Sequence, residues 1–222
     1  IELDPQLASA YFNLANTLRD RGQLDQAVKF YKQTAEISPR FPGLALEYGF
    51  ALYQLKQFSE ALKIFEDAIL HNPKDDQLYL RAGLATVALG DEKAAMGYLQ
   101  TATGINRKNT QAIYQLGLLL VNKGDIEQAK ELFRQVIELD AKHAEAHYQM
   151  GLCLLKQDRI SDAIEEISSA LTLQPKFLEA HLALGNIYLE RMQYELASGH
   201  FKEVVRQQPS NSEAQIKLAD TY

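Results

Sequence analysis

One cysteine, Cys153, stands in 222 residues. A single thiol can build neither an intrachain disulfide nor a cysteine-based zinc site. A chain without disulfides fits the cytosol, which is slightly favoured, and does not exclude an oxidising compartment. Basic excess is missing as well: 23 Lys and Arg stand against 29 Asp and Glu, a net charge of −6. Nucleic-acid binders usually show the reverse, so no nucleic-acid partner is expected. The longest uncharged stretch, residues 109–122, is interrupted by Asn, Gln and Thr. A membrane span needs about 18 apolar residues, so none is expected here. No basic-then-apolar leader opens the chain, which begins with Ile1. The reading is a piece of a longer protein. What is present is the balance of a soluble, packed chain, 46% hydrophobic and 23% charged.

The chain repeats itself. Gly49, Gly83, Gly117, Gly151 and Gly185 are spaced by 34 residues without a break. Ala27, Ala61, Ala95, Ala129, Ala163 and Ala197 keep the same interval of 34. Four residues after each alanine comes a ring or branched apolar side chain: Tyr31, Phe65, Leu99, Phe133, Ile167, Phe201. Periodicity of this length marks stacked supersecondary units. Within one unit Ile113, Leu116, Gly117 and Leu120 share one face of a helix. Gly124 and Asp125 then supply a helix stop and the next N-cap. Ala129, Leu132, Phe133, Val136 and Ile137 form the apolar face of a second helix. Each unit therefore reads as a helical hairpin, with small residues letting its two helices approach. Pro39, Pro73, Pro175 and Pro209 follow second helices, which proline cannot continue.

The pattern resembles the tetratricopeptide repeat family. Six whole units fit, 8–41, 42–75, 76–109, 110–143, 144–177 and 178–211. Residues 1–7, with Pro5, read as the tail of a preceding unit, and 212–222 as the first helix of a seventh. The resemblance implies an all-α fold, a right-handed α-α superhelix of antiparallel hairpins whose first helices line the concave side. It also implies a single solenoid over 1–222. Leu218 and Tyr222 sit where a capping unit would be polar, so end-to-end self-association is a further expectation. The third unit departs most: Gly97 and Gly104 interrupt its second helix, Thr86 replaces a ring and Arg107 replaces the proline. This is either drift supported by neighbours or a softer joint.

No catalytic constellation emerges. His143 and His147 are spelled His-Ala-Glu-Ala-His, which is not the zinc-protease order. His147 and His181 fall on an aromatic packing position of the repeat. Asp75 and Asp76 read as helix-capping acids. Cys153 reads as a buried structural thiol, since no neighbour in sequence would activate it. The glycines serve packing rather than a phosphate loop. No enzyme activity, cofactor or metal is expected within this stretch, although a fused catalytic domain elsewhere in a longer protein is compatible with it.

Function is therefore sought on the surface that the family resemblance assigns to the concave side. Those positions give Phe50, Tyr53, Leu80, Arg81, Leu84, Tyr114, Gln115, Leu118, Tyr148, Gln149 and Leu152. They read as an apolar and aromatic groove for a peptide or partner-protein segment, amphipathic or apolar, with Tyr114 and Tyr148 as the favoured anchors. A chaperone-type carboxylate clamp matches only at Asn16 and Arg81, while Phe12, Glu47 and Gln77 break it. An asparagine ladder finds only Asn13. A binding scaffold is the expected function. A self-assembling structural protein, or the substrate-recruiting region of an enzyme, is the alternative.

Overall fold

The computed structural model describes residues 5–222; residues 1–4, part of the expected tail, lie outside the described residues. The described residues form thirteen α-helices and no strand. The chain divides into two compact units, one up to Gln115 and one from Leu116. The first holds α1 (Pro5–Asp20), α2 (Leu24–Ile37), α3 (Leu44–Gln54), α4 (Phe58–His71), α5 (Asp76–Ala88), α6 (Glu92–Ile105) and the start of α7 (Thr110–Lys123). The second holds the rest of α7, α8 (Ile126–Leu139), α9 (Ala144–Leu155), α10 (Ile160–Leu173), α11 (Leu178–Glu190), α12 (Tyr194–Gln207) and α13 (Ser212–Ala219). From α1 to α6, and again from α8 to α13, each helix packs on the next.

The periodic residues explain the hairpins. All six alanines from Ala27 to Ala197 are fully buried, and so are the six side chains four residues on. The repeated glycine faces that side chain. A Cβ on Gly49 would lie 2.4 Å from Phe65, on Gly117 2.7 Å from Phe133, and on Gly185 2.6 Å from Phe201. The glycine thus makes room for a large side chain of the partner helix, a ring in these three hairpins and Leu99 or Ile167 at Gly83 and Gly151, a more specific role than general backbone approach. A side chain there would overpack the hairpin.

The turn inside each hairpin needs one residue in the left-handed region. Gly22, Gly90 and Gly124 occupy it with φ of 76–90°. Lys56, Asp158 and Met192 hold the same place in the other three hairpins, with φ of 62°, 58° and 58°. An L-residue there is strained by about 1–2 kcal/mol.

Helix ends refine the sequence reading. Asp75 and Asp91 cap α5 and α6, their carboxylates accepting from the Gln77 and Ala94 amides at 3.0 Å. Asp125 occupies the expected N-cap of α8, but its carboxylate makes no cap bond and pairs with Lys123 at 2.8 Å. Helices α6 and α8 end at the same point of the hairpin as the proline-followed helices, though Arg107 and Ala141 stand in proline's place. In each, the next residue's N–H still bonds back to the carbonyl four earlier. Proline therefore reinforces these stops rather than causing them.

Candidate functional site

In the first unit, α3 carries Phe50 and Tyr53, and α5 carries Leu80, Arg81 and Leu84. Phe50 and Arg81 come together: the guanidinium lies 4.8 Å over the ring centroid. Both line a crevice of about 490 Å³ together with Arg19, Glu47, Leu46 and Gln77. Arg19 and Glu47 form an ion pair across it, and Arg19 also reaches Asp20 at 2.9 Å. Arg81 has no carboxylate partner among the described residues. Burial holds its guanidinium below the usual arginine range. A half-buried cation stacked on an aromatic face and left without an anion is a strong donor facing a crevice.

The other candidates of this unit are placed differently. Tyr53 sits edge-on to Phe58, ring centroids 5.1 Å apart, and packs against the core of α4 and α5. Leu84, Tyr114 and Gln115 are half-buried. Leu80 corrects the sequence expectation, because it is only 1% exposed. Neighbouring α5 residues Leu78 and Ala82 are buried too, so this helix is enclosed on more than one face and Leu80 belongs to the interior.

In the second unit, Tyr148 and Leu152 of α9 line a crevice of about 810 Å³ with Leu155, Leu182, Asn186 and Glu179. Tyr148 packs on Phe177, centroids 5.0 Å apart, and burial pushes its hydroxyl pKa up, with Glu179 adding to the effect. Gln149 and Leu118 are half-buried and stand outside this crevice. Leu46, Gln77 and Leu155 were absent from the sequence-derived set although they lie on the same helices, and so was Leu182 of α11. The signal was their register in the first helix of each hairpin, which the sequence reading used only in part.

The histidines have structural partners. His147 Nδ1 lies 2.7 Å from Glu166 and Nε2 3.4 Å from the Ala141 carbonyl. His143 Nδ1 accepts from the Ala146 amide at 3.2 Å and so caps α9. His181 and His200 meet Nδ1 to Nδ1 at 3.0 Å, and His200 stacks on Tyr188. Burial first, and His181 second, push His200 down to about 4. Cys153 is buried, which raises its thiol pKa and keeps it unreactive. Among the described residues no three His, Cys, Asp or Glu gather as metal ligands, and no helix is long and apolar enough to cross a membrane.

Comparison with known proteins follows from this geometry. A tetratricopeptide repeat family model matches residues 18–84 and 154–220, more than half of the chain, and a second one matches 1–29. The family model for subunit 3 of the anaphase-promoting complex, cyclosome, matches 88–170. No curated protein matches the chain significantly. Among solved structures, the anaphase-promoting complex hetero-tetramer Cut9–Hcn1 is similar with a TM-score of 0.81 and 19% identity. That match covers 98% of this chain but 43% of the other, so the chain spans less than half of that relative. PilF from Pseudomonas aeruginosa has a TM-score of 0.84 at 16% identity, covering 97% and 98%. At these identities both show the fold alone. YrrB, described as a tetratricopeptide repeat protein with an unusual peptide-binding site, has a TM-score of 0.63 and 29% identity over 78% of this chain and 89% of its own.

Proposed function

The chain belongs to the tetratricopeptide repeat family, and from that premise we propose that it is a binding scaffold that holds a segment of another protein on the first helices of its hairpins. The observation that carries this reading is the Arg81 guanidinium over Phe50, open to a crevice and without a carboxylate of its own. A peptide supplies what such a site lacks: a backbone carbonyl or carboxylate for Arg81, and apolar side chains for Phe50 and Leu46. The crevice at Tyr148 and Leu152 is a second contact surface, with Glu179 and Asn186, whose amide oxygen also accepts from Lys217, among its polar groups. The repeats are read as the six units beginning at residues 8, 42, 76, 110, 144 and 178. YrrB's peptide-binding site supports the reading by family analogy. The work assigned to these residues is recognition, without chemistry on the bound segment.

The test is recovery of partners from native lysate by the wild-type chain and by two double variants, Phe50→Ala with Arg81→Ala and Tyr148→Ala with Leu152→Ala. Removing a central aromatic and a central arginine costs a ligand about 2 kcal/mol or more in sum. Unchanged helical content and melting confirm that each variant is folded. The reading expects at least one variant to lose partners that the wild type retains. Equal recovery by all three contradicts it.

A further inference from the structure

One position inside the hairpin contact changes character along the chain. In the first hairpin it holds Tyr11 on α1, stacked on Phe30 of α2 with ring centroids 5.9 Å apart. The same place holds Tyr79, Ile113, His147 and His181 in later hairpins, a large side chain in each and a ring in all but Ile113. In the second hairpin it holds Ala45, opposite Ile64. Local backbone enlarges the gap. Helices α5, α7, α9 and α11 begin at the first residue of their repeat, whereas α3 begins at Leu44, the third. Pro42 and the left-handed Gly43, φ 80°, precede it, and Phe41 turns away to pack on Phe12 at 4.9 Å.

The result is a cavity of about 770 Å³ within the first unit, walled by Phe41, Ala45, Tyr48, Ile64 and Ala68. That volume lies in the range of ligand pockets. Two carboxylates stand on its rim. Among the described residues the Asp67 carboxylate has no ion pair, and that of Asp75 has only its cap bond to the Gln77 amide. The rim cation, Arg40, lies 3.4 Å from the His71 ring and engages neither. The missing ring and the unneutralised acids are independent observations, and both describe the same occupant.

We propose that the cavity beside Ala45 binds an aromatic side chain flanked by a basic residue on a partner polypeptide. The ring enters between Tyr48 and Ile64, where the sibling hairpins supply a large side chain of their own, a ring in all but the fourth, and the basic group meets Asp67 and Asp75. The site involves neither Phe50 nor Arg81, so it stands or falls apart from the crevice described above.

The probes are N-acetyl, C-amidated tripeptides: Lys-Trp-Lys, Glu-Trp-Glu and Lys-Ala-Lys. Backbone-amide NMR of the 222-residue chain reads their binding. Lys-Trp-Lys is expected to give saturable shifts around Phe41, Tyr48 and Ala68. Glu-Trp-Glu should bind at least about threefold more weakly, and Lys-Ala-Lys should give no saturable shift, since surface charge pairs contribute modestly and the ring dominates. Ala45→Tyr fills the gap from within and should weaken Lys-Trp-Lys at least about tenfold while the melting temperature holds or rises. Ala68→Leu fills it from the opposite wall and is read in the same way if Ala45→Tyr fails to fold. Asp67→Asn with Asp75→Asn should remove the preference for Lys-Trp-Lys over Glu-Trp-Glu, asparagine preserving the cap of α5. Glu131→Ala, exposed and not among the residues that line the cavity, should bind as wild type. The proposal is overturned if Lys-Trp-Lys gives no saturable shift, if the shifts centre elsewhere, if the filled variant binds equally well, or if Glu-Trp-Glu matches Lys-Trp-Lys.

Discussion

A Cβ on Gly151 would lie 2.5 Å from Ile167 Cγ1 and 3.2 Å from the Ala163 carbonyl oxygen. A side chain meets backbone there as well as a neighbour, so little can move aside. Gly151→Leu should destabilise the chain by about 1–3 kcal/mol, and Gly117→Leu similarly through Phe133. Glu131→Ala, on the exposed face of α8, should leave the melting temperature nearly unchanged, because an exposed pair with Arg134 contributes little. Comparable shifts for all three would mean that the faces of these helices are misassigned. Met192 gives the opposite sign. It holds φ 58° in a turn where other hairpins use glycine, and it is 74% exposed. Met192→Gly should stabilise by about 1 kcal/mol in a denaturant titration. A loss of stability would contradict the strain argument.

His200 makes a residue-level pH prediction. Its folded pKa of about 4 lies below the ordinary 6.5. Between those values the unfolded chain binds the extra proton, so stability falls as pH drops from about 6.5 towards 4. Glu203 is held at about 2 by Arg206 and Gln207, so its loss comes only below its ordinary 4.5. Melting at pH 7 and pH 5 therefore isolates the histidine. His200→Phe, which places there the ring that Phe30 provides in the first hairpin, should flatten the difference between pH 7 and 5. An unchanged slope would assign the pH response to other groups.

At the scale of the element, α6 is the weakest case. A Cβ on Gly97 or Gly104 would meet nothing within 4 Å, so neither glycine serves packing. Each costs helix stability without return, about 1 kcal/mol against alanine. Gly97→Ala with Gly104→Ala should raise stability by about 2 kcal/mol. Amides of residues 91–106 should exchange faster than those of 125–139 in the wild type, and the double variant should slow them. Equal protection of the two segments would remove the idea of a soft joint. The contrast with Gly151 shows what was legible. Spacing separated Gly97 and Gly104, which break the period, from the glycines that keep it. It did not reveal that each periodic glycine faces one large side chain of the partner helix, a ring or a branched aliphatic, because that contact is between helices. Nor could it show that α6 and α8 stop without proline, or that Asp125 turns to Lys123, since both depend on local backbone and side-chain competition.

For the molecule as a whole, the all-α repeat fold was readable because one 34-residue period runs through the chain without insertion. The candidate site was readable only in part. Register alone placed Phe50 and Arg81 on neighbouring first helices, and the stacking between them follows from that register. Leu80 shares the register and is nevertheless buried, because how deeply a helix is enclosed depends on its neighbours rather than on its own periodicity. The cavity beside Ala45 was hidden for the opposite reason: it is defined by a side chain that is absent.

The central claim is that a partner segment lies on the first helices. Photo-crosslinking tests it most directly, with a benzophenone side chain replacing Phe50 in one chain and Glu131 in another, both irradiated in native lysate. The account predicts discrete protein adducts from position 50, suppressed when Arg81→Ala is added, and none from position 131. Adducts of equal yield from both positions, or from position 131 alone, would contradict it.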